Sequence, residues 1–291
     1  MIIVKLQGGL GNQMFQYALG KIIELKYESH LLLDVEFYND QIKKKGFTPR
    51  QFALQVFDCD IKKVNPEIIQ SFLSPSIINQ LKRHFNMPHN KIYFENTPLF
   101  DKDLFLLTPP LYISGYFQSE KYFLNHQSFV RDLFKFPHNA FLDNKHILND
   151  FKLNNSVSVH FRRGDYIADE VTNKFHGICS LDYYLKAFEL ICSKLSSPKF
   201  YIFSDDIEWV EKSISHWKYN VEFIKTQTLD TWIDMFLMSQ CRHNIIANSS
   251  YSWWSAWLNN NDDKIVIAPQ KWFNHQDYLI EDIIPEMWIK L

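Results

Sequence analysis

The chain has 291 residues, of which 46% are hydrophobic and 22% are charged, and its formal net charge at pH 7 is −2. This length suits one large domain or two of ordinary size, and the hydrophobic fraction excludes a largely disordered chain. The near-neutral charge gives no support for a dedicated nucleic-acid binder, so no nucleic-acid partner is expected.

The cysteines show neither a CxxC pair nor the spacing of metal ligands, and we interpret Cys59, Cys179, Cys192 and Cys241 as reduced thiols. The first residues lack the basic and apolar regions of a signal peptide, and no stretch of about 18 apolar residues occurs. The sequence therefore predicts a cytoplasmic protein and leaves open a peripheral contact with the inner face of a membrane.

The first elements in chain order are a strand, a glycine turn, a helix and a second strand. Residues 2–6 are mostly aliphatic and predict a buried strand, and Gly8, Gly9 and Gly11 form the turn after it. Apolar residues then recur at helical spacing as far as Leu25, and residues 30–35 predict the next strand. This order is typical of a βαβ unit. From about residue 41 to 150 the pattern is less regular and prolines interrupt it.

The second half of the chain alternates strands with helices. Strands are predicted at residues 157–161, 199–203, 221–224, 244–247 and 264–268. Helices are predicted at residues 181–195, 207–210, 233–240 and 253–258, the first of them capped by Ser180. Such alternation implies a parallel α/β sheet. Polar turn residues near 150 place a boundary there, which gives domains of residues 1–150 and 151–291.

Polar and glycine residues follow four of the predicted strands, directly after Leu6, Phe161, Phe203 and Ala247. In parallel α/β sheets, ligands bind at the carboxyl ends of the strands. The sequence therefore predicts a ligand site built from these four segments.

The segment after Phe161 contains Arg162, Arg163, Gly164 and Asp165. Arginine is permanently charged and can hold phosphate oxygens through two parallel N–H bonds. An arginine here could neutralise a departing nucleoside diphosphate. The alternative is that Arg163 and Asp165 pair with each other and only stabilise the loop.

Two further turns have both a ligand-binding and a structural interpretation. Asn248-Ser249-Ser250 opens an aromatic helix, where free N–H groups could bind phosphate or where a serine could simply cap the helix. Ser204-Asp205-Asp206 offers two carboxylates to a cation, but adjacent residues rarely ligate one ion well, and helix capping is favoured. The histidines form no spaced cluster, so no metal site is expected.

The segment Gly8-Gly9-Leu10-Gly11 resembles half of a dinucleotide-binding fingerprint. It lacks the third glycine at the required spacing, which argues against a nicotinamide cofactor. The glycines are better explained as a turn that lets the backbone approach a ligand.

Four motifs in order resemble those of one enzyme family: GGLGNQMFQYA at 8–18, HFRRGDY at 160–166, FSDDIEW at 203–209 and NSSYSWWSAWL at 248–258. They are similar to the motifs of the inverting α-1,2-fucosyltransferases of bacterial type, glycosyltransferase family 11. The resemblance implies an α/β, GT-B-like fold with two Rossmann-like domains facing a cleft. The first domain would lie on the acceptor side and the second would bind GDP-fucose, with the last helix free to pack back on the first.

The implied activity is that of a galactoside 2-alpha-L-fucosyltransferase, which moves L-fucose from GDP-β-L-fucose to the 2-hydroxyl of a galactose. The acceptor would be a galactose-terminated oligosaccharide or a lipid-linked glycan, and the resemblance implies no metal ion or other cofactor. Alternatives are a fucosyltransferase of another linkage, a non-catalytic glycan-binding module and a nucleotide-sugar oxidoreductase.

The resemblance also assigns roles to residues. Arg162 would bind the β-phosphate and stabilise departing GDP, and Asn12 would lie near the transferred sugar. His160 would fix the guanosine, and Asp234 would accept hydrogen bonds from guanine N1 and N2. The remaining substrate-binding candidates are Arg163, Asp165, Asn248, Ser249, Ser250, Gly9 and Gly11. The motifs nominate no general base.

Overall fold

The computed structural model describes residues 1–39, 49–74, 77–85, 87, 89–164, 174, 177–226, 230, 232–274 and 280–291, without the side chains of residues 77, 78 and 83. Its contacts divide the described chain into two compact units. Unit 1 contains residues 1–39, 49–135 and 280–283, and unit 2 contains residues 136–274 and 284–291.

The described strands are β1 (Ile2–Lys5), β2 (Leu31–Asp34), β3 (Lys91–Phe94), β4 (Leu111–Ser114), β5 (Asn155–Phe161), β6 (Pro198–Ser204), β7 (Val221–Phe223), β8 (His243–Ile245), β9 (Val266–Ala268) and β10 (Ile289–Lys290). The described α-helices are α1 (Leu10–Tyr27), α2 (Pro66–Leu73), α3 (Ile77–His84), α4 (Gln127–Leu133), α5 (His138–Asp143), α6 (Lys145–Leu153), α7 (Leu181–Lys194), α8 (Ile207–Ile214), α9 (Trp232–Gln240) and α10 (Ser250–Leu258).

Unit 1 is built on a parallel sheet with the strand order β2-β1-β4-β3. Alternate residues of β1 face opposite sides of this sheet. Ile3 packs in a cluster with residues of α2, whereas Val4 lies against α1, where Gly20 allows the helix to approach closely. The predicted βαβ opening is confirmed by β1, α1 and β2.

Unit 2 is built on a parallel sheet with the strand order β10-β9-β8-β5-β6-β7, and apolar residues cover both of its faces. Phe200 and Ile202 of β6 belong to one buried cluster with residues of α7 and α8. Tyr201 and Phe203 belong to another with residues of α6 and α9. This alternation makes unit 2 a helix–sheet–helix sandwich, which is typical of parallel sheets. The predicted α/β class with two Rossmann-like units is confirmed.

The division between the units falls between residues 135 and 136, earlier than the predicted boundary at 150/151. The reason is packing, because Ala140 of α5 and Leu148 and Phe151 of α6 are buried against β6 and α9 of unit 2. Near the other end of the chain, Asp282 accepts hydrogen bonds from Lys121 and from the Phe100 N–H of unit 1. The described residues of this segment, 280–283, form a turn, whereas the resemblance left open a last helix that packs back on the first domain.

Across the residues that the structure describes, no helix combines the length and the apolar character needed to span a bilayer.

Candidate active site

Neighbouring strands of unit 2 bring two charged segments together at the carboxyl edge of its sheet. Phe161 of β5 pairs with Ser204 of β6, so the next residues, Arg162 and Asp205, also lie side by side. The Arg162 Nη1 atom is 2.6 Å from Asp205 Oδ2, and the Arg163 backbone N–H donates to Asp205 Oδ1 at 2.8 Å. Asp205 therefore fixes both the loop and the direction of the Arg162 side chain.

The electrostatics of Asp205 follow from this arrangement. Burial alone would raise its pKa, but the Arg162 guanidinium and the backbone N–H groups of Gly164 and Arg163 outweigh burial and hold the pKa below its ordinary value of 3.8. The carboxylate is thus ionised at neutral pH, and Arg162 is held by a charged partner.

Arg163 makes a different set of contacts. Its guanidinium carbon lies 3.2 Å from the centroid of the Trp209 ring, and its Nε is 3.4 Å from Asp206 Oδ2. These contacts fit the interpretation that Arg163 stabilises the loop, with Asp206 and Trp209 as its partners. Asp165, the partner considered from the sequence, lies outside the described residues.

His160, two residues before Arg162, is only 5% exposed. Its Nδ1 is buried and has no hydrogen-bond partner among the described residues. Burial lowers the pKa of His160 to about 4; Asp205 opposes this effect and Arg162 adds to it. The imidazole is therefore neutral at pH 7, with one nitrogen that can donate and one that can accept.

Asp234 lies in the first turn of α9, and its Oδ1 is the second buried side-chain atom of the described chain without a partner. Burial raises the pKa of Asp234 above 3.8, and a hydrogen bond with Thr226 opposes this shift. The Tyr251 hydroxyl accepts the Met235 N–H at 2.8 Å, and the Tyr251 ring centre is 5.8 Å from that of His160. Tyr251 of α10 therefore lies beside His160 and is hydrogen-bonded to the residue that follows Asp234.

Asn248, Ser249 and Ser250 form the turn between β8 and α10. Ser249 is the N-cap, and its hydroxyl accepts the Tyr251 N–H at 3.3 Å. Asn248 is buried, and its amide donates to the carbonyl groups of Gly177 and Trp272 at 3.2 and 3.1 Å. The Asn248 side chain therefore stabilises the turn, and Ser249 and Ser250 lie at the N-terminus of α10.

The Ser204-Asp205-Asp206 turn does not act as a side-chain cap. Asp206 occupies the N-cap position of α8, but its side chain makes no capping hydrogen bond, and each carboxylate is engaged with an arginine instead. Among the described residues, no group of three His, Cys, Asp or Glu side chains is placed to hold a metal ion.

The other predicted residues belong to unit 1. Gly8 adopts a positive φ of 80°, and the Gly9 carbonyl accepts the Asn12 and Gln13 N–H groups at the start of α1. Gly11 is buried in the first turn of that helix. The Asn12 Oδ1 accepts a hydrogen bond from the Gln118 amide at 2.7 Å. The turn therefore places the Asn12 carboxamide at the carboxyl edge of β1.

From the sequence alone, Tyr251 and Trp209 have no assigned role, and Asp205 is expected only as part of a helix cap or as a metal ligand. Tyr251 and Trp209 each stand within one of the motifs, at 248–258 and 203–209. An aromatic residue beside a charged segment was the signal available, but core filling explains most aromatic residues equally well.

Comparison with known proteins identifies the family to which the chain belongs. Over residues 1–291 the chain matches the model of Glycosyl transferase family 11. It is 34% identical over 294 residues to an alpha-1,2-colitosyltransferase of Escherichia coli, covering 100% of this chain and 99% of that protein. It is 27% identical over 163 residues to galactoside alpha-(1,2)-fucosyltransferase 1 of Leontocebus fuscicollis, covering 53% of this chain and 44% of that one.

Among solved structures, the fucosyltransferase NodZ from Bradyrhizobium aligns with a TM-score of 0.48 and 12% identity, covering 87% of this chain and 91% of that one. The full-length match to the family model, together with the full-length relative, is decisive: the chain belongs to glycosyl transferase family 11.

Proposed function

We propose that the chain transfers L-fucose from GDP-β-L-fucose to the 2-hydroxyl of a galactose, with inversion and without a metal ion. One observation carries the donor assignment: two buried polar atoms, His160 Nδ1 and Asp234 Oδ1, have no partner in the described chain. His160 lies near Arg162, and both His160 and Asp234 lie near Tyr251 of α10. Leaving buried polar atoms unpaired is costly, so such atoms point to a ligand that pairs with them.

Guanosine diphosphate supplies suitable partners. The N1 and N2 groups of guanine are donors, and the Asp234 carboxylate is an acceptor. The His160 imidazole, which is neutral at pH 7, can donate a hydrogen bond to the guanosine or accept one from it. A pyrimidine nucleotide lacks this donor edge, so we assign Asp234 to selecting guanine.

The diphosphate would lie between Arg162 and the N-terminus of α10. A guanidinium has five N–H donors, so the bond to Asp205 is compatible with bonds to phosphate oxygens. The N–H groups at the start of α10 and the Ser249 and Ser250 hydroxyls add donors where a helix dipole favours an anion. As the bond to fucose breaks, negative charge grows on GDP, and these groups stabilise it.

The α-1,2 linkage is supported by the two relatives, because the name of each one specifies an α-1,2 transferase. The full-length relative also favours a second donor, because it is a colitosyltransferase and colitose is L-fucose without its 3-hydroxyl. The acceptor is proposed to be a galactose-terminated oligosaccharide or a lipid-linked glycan at the cytoplasmic face of a membrane.

The test is turnover of GDP-fucose and of GDP-colitose with lactose and a panel of β-galactosides in excess EDTA, following GDP release and determining the product linkage by NMR. Fucose on the galactose 2-hydroxyl would support donor, linkage and metal independence together. Glycan binding without GDP affinity would instead indicate a non-catalytic module. Arg242→Ala is a matched control for Arg162→Ala, because Arg242 precedes β8 at the opposite edge of the sheet.

A further inference from the structure

Glu95 is a half-buried carboxylate of unit 1 that has no part in the proposed donor site. It follows β3, and burial raises its pKa even though two backbone N–H groups oppose that shift. The Tyr116 N–H donates to Glu95 Oε2 at 2.6 Å and the Phe117 N–H donates to Oε1 at 2.9 Å. Glu95 therefore fixes the loop that follows β4.

That loop has a fixed and unusual shape. Phe117 has a φ of 51°, in the left-handed region that bulky residues rarely adopt, and its ring is fully buried. A Cβ on Gly115 would lie 2.7 Å from Phe117 Cζ and would also clash with the Glu95 side chain. Strained backbone of this kind persists where its surroundings over-determine it, and it concentrates at ligand sites.

The result of this shape is that Tyr116 is 44% exposed between two buried neighbours, Gly115 and Phe117. Gln118 follows and donates to Asn12 at 2.7 Å, which joins the β4 loop to the turn after β1. The Tyr38 hydroxyl donates to the Gly8 carbonyl of the same turn, and the Tyr116 phenol contributes, after burial, to raising the pKa of Tyr38. An exposed aromatic ring and a pair of hydrogen-bonded carboxamides thus lie at the carboxyl ends of β4 and β1.

These groups suit a neutral polyhydroxylated ligand. An aromatic face packs against the C–H face of a sugar ring, and carboxamides donate to and accept from hydroxyls. We propose that Tyr116, whose backbone N–H is held by Glu95, binds the galactose-bearing acceptor together with the hydrogen-bonded carboxamides of Asn12 and Gln118, with Glu95 as a positioning residue. This inference rests on the proposed function for the identity of the sugar.

The test measures acceptor KM, kcat and GDP affinity for four variants of the full chain. Tyr116→Ala should raise the KM for lactose about threefold to tenfold, with kcat and GDP affinity unchanged, and Tyr116→Phe should restore the wild-type KM. Glu95→Gln should raise KM similarly, because its amide nitrogen cannot accept a backbone N–H. Phe85→Ala, which removes another exposed aromatic residue of unit 1, is the control and should leave KM unchanged.

An unchanged KM in Tyr116→Ala, or a Glu95→Gln variant that loses only thermal stability or kcat, would overturn the inference and leave the proposed function standing. Ligand-detected saturation-transfer NMR with lactose and GDP separates the two claims. Lactose binding that Tyr116→Ala abolishes, in a wild-type protein that transfers no fucose, would support the site and refute the proposed activity. Absence of both binding and transfer in the wild type would refute both.

Discussion

Replacing Asp234 by asparagine should weaken GDP binding and stabilise the free protein, two effects of opposite sign from one substitution. The buried Oδ1 has no partner in the described chain, and burial raises the pKa of the carboxyl group. In the free protein the charge is therefore unfavourable, whereas in the proposed complex it pairs with the guanine N1 and N2 donors. Asparagine keeps the shape, removes the charge and presents an amide N–H₂ in place of one acceptor oxygen.

The magnitude for binding follows from the lost hydrogen bond. A hydrogen bond to a charged group contributes about 1.5–3 kcal/mol, so losing one should weaken GDP binding about tenfold to a hundredfold. Inosine diphosphate lacks the 2-amino group and should bind the wild type more weakly than GDP by a similar factor. In Asp234→Asn that preference for GDP should shrink.

The sign for stability follows from the raised pKa. A carboxyl group whose pKa is higher in the folded than in the unfolded state contributes stability below its ordinary value of 3.8, and this contribution is lost as pH rises through the folded pKa. At pH 7 the wild type lacks that contribution, so Asp234→Asn should have the higher melting temperature. Below pH 3.8 the difference should disappear.

Isothermal titration with GDP and inosine diphosphate, together with thermal melts between pH 3 and pH 8, would measure both effects. Asp230→Asn, which changes an exposed carboxylate just before α9, is the matched control. Wild-type affinity for GDP in Asp234→Asn, or an undiminished preference for GDP over inosine diphosphate, would refute the assignment of Asp234 to guanine.

Substitutions at three further positions test the arginine segment. Arg162→Ala should lower the rate of GDP release during transfer about 10²–10³-fold, and Arg162→Lys at least about tenfold, with unchanged circular dichroism; a near-normal rate would contradict the leaving-group role. Asp205→Asn should lower the melting temperature at pH 7, and, because the Asp205 pKa is held below 3.8, the gap to wild type should close as pH falls through the folded pKa. Trp209→Leu should lower the free energy of unfolding by about 0.5–2 kcal/mol in denaturant melts and leave GDP affinity unchanged; a large loss of GDP affinity would show that Arg163 contacts the ligand.

Much of the fold could be predicted from periodicity. The strand at residues 157–161 corresponds to β5, the helix after Ser180 to α7, and Ser180 accepts the Tyr183 N–H as expected of a cap. The boundary near 150 was less accurate because turn residues identify a break in the chain but not the unit on which the preceding helices pack. The unit to which these helices belong is decided by the packing of Leu148 and Phe151 against residues that are distant in sequence.

The candidate site was only partly predictable for the same reason. Its position at the carboxyl edge follows from strand order, since Arg162 and Asp205 each come directly after a strand. Which carboxylate pairs with which arginine depends on register. The sequence favoured helix capping by the Ser204-Asp205-Asp206 turn, but Asp206, which occupies the N-cap position, makes no side-chain capping hydrogen bond. The roles of His160, Asp234 and Asn12 toward ligands stay predictions.

Strand register also explains a feature that the two units share. Phe161 pairs with Ser204, and Asp205 binds the N–H groups two and three residues after Phe161. In unit 1, Ser114 pairs with Phe94, and Glu95 binds the N–H groups two and three residues after Ser114.

In both units, the carboxylate lies one residue beyond the end of its strand and accepts two backbone N–H groups of the loop after the neighbouring strand. Because the strand pairing ends there, these N–H groups would otherwise have no carbonyl acceptor on the neighbouring strand. Because the acceptor is charged, these hydrogen bonds are stronger and hold each loop in one conformation. The orientation of Arg162 in one loop and of Tyr116 in the other is therefore set in the absence of a ligand. Such preorganisation lowers the conformational cost of binding, so the same arrangement would serve both the proposed diphosphate site and the proposed sugar site. It also predicts that Asp205→Asn and Glu95→Gln will act on different substrates, the first on the donor and the second on the acceptor.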